Sequence, residues 1–71
     1  MAKRATVEFY ECEHNGDLNM YCDDLRKCGA NIERTEINEY AEVGQVTFTV
    51  EGDWSAFVTA FKETEAYDFL N

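Results

Sequence analysis

Three cysteines and one histidine are the residues of this chain that could do metal or nucleophilic chemistry. Cys12 and His14 lie two positions apart, and Cys22 and Cys28 lie six apart further along the chain. Zinc takes thiolates and imidazoles in structural sites, but those sites repeat Cys-x2-Cys pairs that this chain lacks. We therefore predict neither a metal site nor a cofactor. Cys22 and Cys28 are expected to be small buried core residues instead.

A cysteine next to a histidine can also form a nucleophile, because an imidazole lowers the pKa of a nearby thiol. Cys12 and His14 would share one face of an extended segment. However, Glu11 and Glu13 surround them, and nearby negative charge disfavours the thiolate. No glycine-rich oxyanion loop or residue to orient the imidazole is recognisable. The prediction is a protein without catalytic residues, not an enzyme.

Carboxylate pairs for acid/base catalysis have no diagnostic value here, because acids are abundant throughout the chain. A chain of 71 residues also has little room for a substrate pocket, which commonly measures about 300 Å³ or more. The acids are of interest as a charged surface. The predicted partner-binding residues are Glu33, Glu36, Glu39, Tyr40, Glu42, Glu51 and Asp53.

Two interpretations of these acids stay open. A solvated acidic face keeps a protein soluble without binding anything. Alternatively, carboxylates with few compensating bases present a negative surface to a basic groove on another protein, and charge steers such encounters. Tyr10, Tyr40 and Tyr67 would then add contact area, unless they pack across the sheet.

Charge is unevenly distributed along the chain. Fifteen acids and six bases give a formal charge of −9. Residues 1–34 hold seven acids and five bases, a net of −2, whereas residues 35–71 hold eight acids and only Lys62, a net of −7. Nucleic acids and anionic lipids draw affinity from clustered Lys and Arg, so direct binding to nucleic acid or membrane is not expected.

Length and composition favour one small folded domain over residues 1–71. Hydrophobic residues make up 45% of the chain and aromatic residues 14%, too much apolar surface for a disordered chain. A core this small contributes only about 3–5 kcal/mol, so a homodimer is an additional option. An odd cysteine count, no signal-peptide pattern and no apolar run of about 20 residues together predict a cytoplasmic location.

Local patterns predict the first strand and the first helix. Residues 5–11 alternate between apolar and polar side chains, as a half-buried strand does. After a turn at residues 14–16, Asp17 is predicted to cap a helix, and Gly29 suits the left-handed residue that follows one. The buried stripe of this helix should contain Leu18, Tyr21, Cys22, Leu25 and Cys28.

Residues 30–40 are ambiguous between strand and helix. Ile32 and Ile37 have opposite parity in a strand, and the spacing after Ile37 also fits a helix face. We predict a strand with a bulge, because residues 46–50 alternate as a strong strand that needs an antiparallel neighbour close in sequence. Residues 40–44 would connect the two strands.

Asp53 is predicted to cap a second helix with a buried stripe of Trp54, Phe57, Val58 and Phe61. Residues 66–70 fit either a last helical turn or a short strand. The order β-α-β-β-α, with an optional closing strand, resembles the ferredoxin-like split βαβ sandwich. In this α+β class two helices cover one face of an antiparallel sheet. The open face would carry Glu8, Tyr10, Thr47 and Thr49.

The leading functional hypothesis is a small non-enzymatic protein that binds the basic, nucleic-acid-binding surface of a partner protein. A phage- or mobile-element-encoded inhibitor that mimics nucleic acid would have this size and charge. The alternative is a regulatory module that binds a metabolite or dimerises through its open sheet face. Under the alternative, substitution of Glu36, Glu39 and Glu42 by Gln should leave the activity of the protein intact.

Overall fold

Three strands and two helices follow one another in the predicted order. The computed structural model describes residues 2–70, which form β1 (Lys3–Phe9), α1 (Asn15–Lys27), β2 (Ala30–Asn38), β3 (Val43–Val50), α2 (Trp54–Phe61) and a C-terminal 3-10 helix (Glu65–Phe69). The strands make one antiparallel sheet in the order β1-β3-β2. The α+β class is confirmed, with three strands in the described part of the chain.

Residues 30–38 form a strand with the predicted bulge. The register of β2 against β3 shifts between Ile32 and Arg34. Glu33 is the extra residue, and it moves Ile37 onto the same face of the sheet as Ile32. Both isoleucines are half-buried against the core.

Helix α1 is capped three residues earlier than predicted, at His14 instead of Asp17. It starts at Asn15, and His14 is the N-cap, with an extended backbone at φ −154° and ψ 172°. The Nδ1 atom of His14 accepts a hydrogen bond of 3.0 Å from the Gly16 N–H. Asp17 reaches back instead, and its Oδ2 accepts from the Glu13 N–H at 3.1 Å. The imidazole thus accepts from a free N–H of the first turn, as an N-cap oxygen commonly does, while Asp17 binds the N–H of the residue before the cap.

One face of the sheet packs against both helices. Along β3 alternate residues are buried, including Val46, Phe48 and Val50. The ring of Phe48 lies 6.2 Å from that of Trp54 and 5.4 Å from that of Phe57, measured between centroids. The other buried side chains of this core are Phe9, Cys12, Leu18, Tyr21, Cys22, Leu25, Ala30, Phe61 and Ala66.

The last described residues form a 3-10 helix, which leaves the optional closing strand unformed. Leu70 makes one isolated antiparallel bridge with Phe9, and the Tyr10 N–H donates to the Phe69 carbonyl at 2.6 Å. A strand needs consecutive pairs of this kind. Within residues 2–70 the sheet therefore has three strands, not the four of a complete ferredoxin-like sheet.

Candidate functional site at the hairpin end of the sheet

The face of the sheet away from the helices carries threonines and charged or amide side chains. Thr6 and Thr47 lie opposite each other on β1 and β3, and their hydroxyl oxygens are 3.0 Å apart. Beside them, Arg4 Nε lies 3.2 Å from Glu33 Oε1, and the Thr49 hydroxyl also donates to Glu33. The charges of this ion pair cancel, so this end of the face is close to neutral.

Toward the β2–β3 hairpin the same face becomes acidic. Glu8 and Glu36 lie on either side of Gln45, one on each neighbouring strand. Together with Glu39 they line a shallow depression of about 750 Å³ to which no lysine or arginine contributes. Arg34 lies 3.6 Å from Glu36, but both side chains are exposed, so solvent screens this pair.

A second depression lies between the hairpin turn and the segment that follows β1. Glu11, Glu42 and Asp68 line this depression of about 500 Å³, again without a lysine or arginine. The Cys12 N–H donates to the Glu42 carbonyl at 2.9 Å, which holds the turn against that segment. Ala41 lines both depressions, so they adjoin each other. The carboxylates are therefore held on a backbone that is hydrogen-bonded at this point.

We call this region the acidic hairpin end and define it by its six carboxylates. They are Glu8, Glu11, Glu36, Glu39, Glu42 and Asp68. Among the four ion pairs within the described residues, only the one between Arg34 and Glu36 involves any of the six. The negative charge of this surface is thus largely uncompensated within residues 2–70.

The structure brings together only part of the predicted partner-binding set. Glu36, Glu39 and Glu42 belong to the acidic hairpin end, and Tyr40 stands in its turn with a relative exposure of 101%. Glu33 lies outside it, in the ion pair with Arg4.

Glu51 and Asp53 lie at the opposite end of β3, about 25 Å from the hairpin turn at the usual rise of a strand. The carboxylate of Asp53 is also committed to structure. Its Oδ1 accepts from the Ser55 N–H at 2.9 Å and so caps α2. The predicted set is therefore two separate groups of residues and not one continuous surface.

Three carboxylates of the acidic hairpin end are absent from the predicted set. The alternation of β1 places Glu8 on the open face, and its antiparallel pairing with β3 brings it to the hairpin. Glu11 lies just after β1, so the same strand pairing also brings it beside the hairpin turn. Asp68 lies beside the hairpin because Leu70 pairs with Phe9. This contact joins distant parts of the chain, and no local pattern indicates it.

The thiols and the imidazole serve structural roles. Cys12 has a relative exposure of 0%, and burial, followed by the negative charge of Asp17, raises the pKa of its thiol. Burial likewise raises the pKa of the Cys22 thiol. His14 lies exposed at the start of α1, where it caps the helix. In the described residues no cluster of three or more His, Cys, Asp or Glu side chains is placed to hold a metal ion.

Alkylation should distinguish the three thiols. Cys28 is half-buried and should react first with iodoacetamide at mildly alkaline pH, although burial raises the pKa of this thiol too. Cys12 and Cys22 should react about 100-fold more slowly in the native protein than in denaturant, because they must first become exposed by unfolding. Peptide mass spectrometry over time measures each rate. Modification of native Cys12 as fast as Cys28 would contradict its buried position.

Comparison with protein-family models, with curated proteins and with solved structures finds no match. Within the described residues, no helix has the length and apolarity to cross a lipid bilayer.

Proposed function

We propose that this chain is a small, acidic, non-enzymatic interaction protein whose acidic hairpin end binds the basic, nucleic-acid-binding surface of a partner protein. One observation carries the proposal: six carboxylates surround two adjoining depressions that no lysine or arginine lines. A basic protein surface would supply the missing positive charge.

The arrangement of the carboxylates supports mimicry of a nucleic acid more than a merely solubilising role. Glu8 and Glu36 project from strands that flank β3, so their backbones are separated by about 10 Å of hydrogen-bonded sheet. Charges held on a sheet lose little freedom on binding, which lowers the cost of association. Tyr40, fully exposed in the turn, adds an aromatic side chain of the type enriched at interface hot spots.

A phage- or mobile-element-encoded inhibitor acting in the cytoplasm is the role that we propose for such a surface. An inhibitor of this kind would occupy the groove where its target holds DNA or RNA. Association would be fast and strongly salt-dependent, because long-range attraction between opposite charges steers it.

The fold itself supports a second, structural proposal. Because β3 is antiparallel to both neighbours, β1 and β2 run parallel with β3 inserted between them, which is the split βαβ arrangement. We propose a ferredoxin-like plan whose outer fourth strand is reduced to the bridge at Leu70. The alternative function, metabolite binding or dimerisation through the open sheet face, has less support because that face is polar, with threonine, glutamine and charged side chains.

Removing charge from the acidic hairpin end should weaken partner binding. We expect the triple substitution of Glu36, Glu39 and Glu42 by Gln to weaken binding about tenfold or more at low salt, since each lost carboxylate removes one attraction to a basic groove. The partner is first captured with the folded protein and then purified. Its affinity is measured by calorimetry at low and high salt, with and without competing duplex DNA.

A matched variant controls for net charge. Replacing Glu51, Glu63 and Glu65 by Gln removes the same charge from exposed positions that line neither depression. This variant should bind within about threefold of the wild type, because screening weakens charges far from the interface. Equal losses in the two triple variants, or binding that neither salt nor duplex DNA changes, would refute the proposal.

A further inference from the structure

An apolar crevice opens on the side of the sheet that faces the helices. Its volume is about 120 Å³, and residues of β1, β3, both helices and the C-terminal 3-10 helix line it. Every lining residue is a valine, a leucine or an aromatic residue. Val7, Trp54, Val58 and Leu70 are only half-buried, so the crevice opens to solvent between them.

The crevice lies at the incomplete edge of the sheet. β1 is a terminal strand, and within residues 2–70 the sheet continues beyond it only at the bridge between Phe9 and Leu70. A full strand in this place would direct every second side chain toward the helices. The 3-10 helix Glu65–Phe69 takes that place instead, which leaves space between β1 and α2.

Aromatic rings that contact one another form one wall of the crevice. The ring centroids of Trp54 and Phe57 are 5.3 Å apart, and those of Phe57 and Phe61 are 5.9 Å apart. Tyr67 meets Phe61 edge-on at 6.1 Å. Lys3 Nζ lies 4.7 Å from the centre of the Trp54 ring, a cation–π contact that favours this ring position. Movement of the wall into the crevice would break these contacts.

The chemistry of the lining selects the kind of molecule that can enter. The lining has no polar surface, so a polar group in the crevice would lose its hydrogen bonds to water without replacement. A water molecule there would lack the two to four polar partners that a buried water needs. The formal charge of −9 also disfavours an anion. A neutral, apolar molecule meets none of these penalties.

The volume of the crevice limits the size of that molecule. Most drug-sized ligands occupy pockets of about 300 Å³ or more, which is well above the 120 Å³ found here. Apolar protein cavities of about 150 Å³ bind benzene. Because this crevice is slightly smaller but open on one side, it matches one six-membered hydrocarbon ring or a branched aliphatic group of similar size.

We propose that this crevice is a binding site for a small, neutral, apolar ligand about the size of one six-membered ring. The site is independent of the proposed partner binding, because it shares no lining residue with the two depressions of the acidic hairpin end. A ligand there would contact β1, α2 and the 3-10 helix together. Binding would therefore stabilise the folded protein.

Methyl NMR spectra recorded during a titration with benzene test the site. The methyl groups of Val7, Val58 and Leu70 should shift together and saturate with one dissociation constant of about 1 mM, an affinity that six carbon atoms can supply. The methyl groups of Val43, which does not line the crevice, should not shift. Benzene at ten times this dissociation constant should raise the ratio of folded to unfolded protein about tenfold in urea denaturation.

Pyrazine is the matched polar probe, because it has the shape of benzene but carries nitrogen atoms on opposite sides of the ring. Both nitrogens cannot face the opening at once, so one of them would lie against the apolar lining. Pyrazine should bind about tenfold or more weakly than benzene.

Val58→Phe tests the position of the site, because the added ring would occupy the crevice itself. It should weaken benzene binding about tenfold or more while circular dichroism shows a folded protein. Thr59→Phe is the control, since it adds the same ring at the next position of α2, which is exposed and does not line the crevice. This variant should bind benzene within about threefold of the wild type.

Several results would overturn the proposal. They are the lack of saturable shifts up to the solubility of benzene, equal affinity for pyrazine, and undiminished benzene binding in folded Val58→Phe. If Val58→Phe does not fold, the methyl shifts and the pyrazine comparison decide. Shifts of the same methyl groups with protein concentration alone would show that a second copy covers the crevice, which would also contradict a small-ligand site.

Discussion

Replacing Phe48 by alanine should lower the free energy of unfolding by about 3–5 kcal/mol, the usual cost of truncating a buried phenylalanine. Phe48 lies on β3, the central strand of the sheet, is 1% exposed and packs against the rings of Trp54 and Phe57. A core of this size contributes only about 3–5 kcal/mol in total. The Phe48→Ala protein should therefore be largely unfolded at room temperature.

Urea denaturation followed by far-ultraviolet circular dichroism measures this loss, and Tyr40→Ala is the matched control. Tyr40 is also aromatic, but its side chain is fully exposed in the hairpin turn. Its truncation leaves no cavity, so the unfolding midpoint should stay within error of the wild type. If the two variants unfolded at the same urea concentration, Phe48 would not occupy the core as described.

The sequence correctly predicts those helix and strand features that depend on contacts between residues close together in the chain. Asp53 caps α2 because its carboxylate can reach the first free N–H groups of the helix, a contact between neighbours in the chain. The bulge of β2 follows from parity, since only an extra residue lets Ile32 and Ile37 share the buried face. In each case the spacing of the residues is itself the physical constraint.

The start of α1 and the end of the chain depend on less common or more distant contacts. His14 is not among the preferred N-cap residues, and Asn15 followed by Gly16 is typical of a turn, so the sequence predicts the helix start three residues late. The state of residues 66–70 depends on Leu70 meeting Phe9, across nearly the whole chain. No local pattern decides between strand and 3-10 helix there.

The candidate site is predictable only in the part that the hairpin carries. Glu36, Glu39 and Glu42 are close in sequence and stay close in the fold, because the turn joins two paired strands. A site predicted from the acids in the second half of the chain also includes Glu51, which lies at the far end of β3. The same prediction omits Glu8, which belongs to the first half and reaches the site through the pairing of β1 with β3. Topology, rather than sequence position, determines where the negative charge accumulates.

Gly44→Ala should destabilise the protein by about 1–3 kcal/mol, because the added methyl group would overpack the core. A Cβ atom at Gly44 would lie 2.6 Å from both Cys12 Sγ and Leu18 Cδ1. Both neighbours are buried and have little room to move. Gly52→Ala is the control, since nothing lies within 4 Å of its Cβ position.

A double-mutant cycle tests whether the clash causes the loss. Cys12→Ala removes the Sγ atom that the new methyl group would meet, so Gly44→Ala should cost less in that background than in the wild type. Relief should be incomplete, because Leu18 Cδ1 still lies 2.6 Å from the new Cβ. Strictly additive losses would place the effect of Gly44→Ala in the backbone or the unfolded chain instead of this contact. A coupling energy would identify Gly44 as a point where β3 passes close to the segment after β1, a contact that positions the acidic hairpin end.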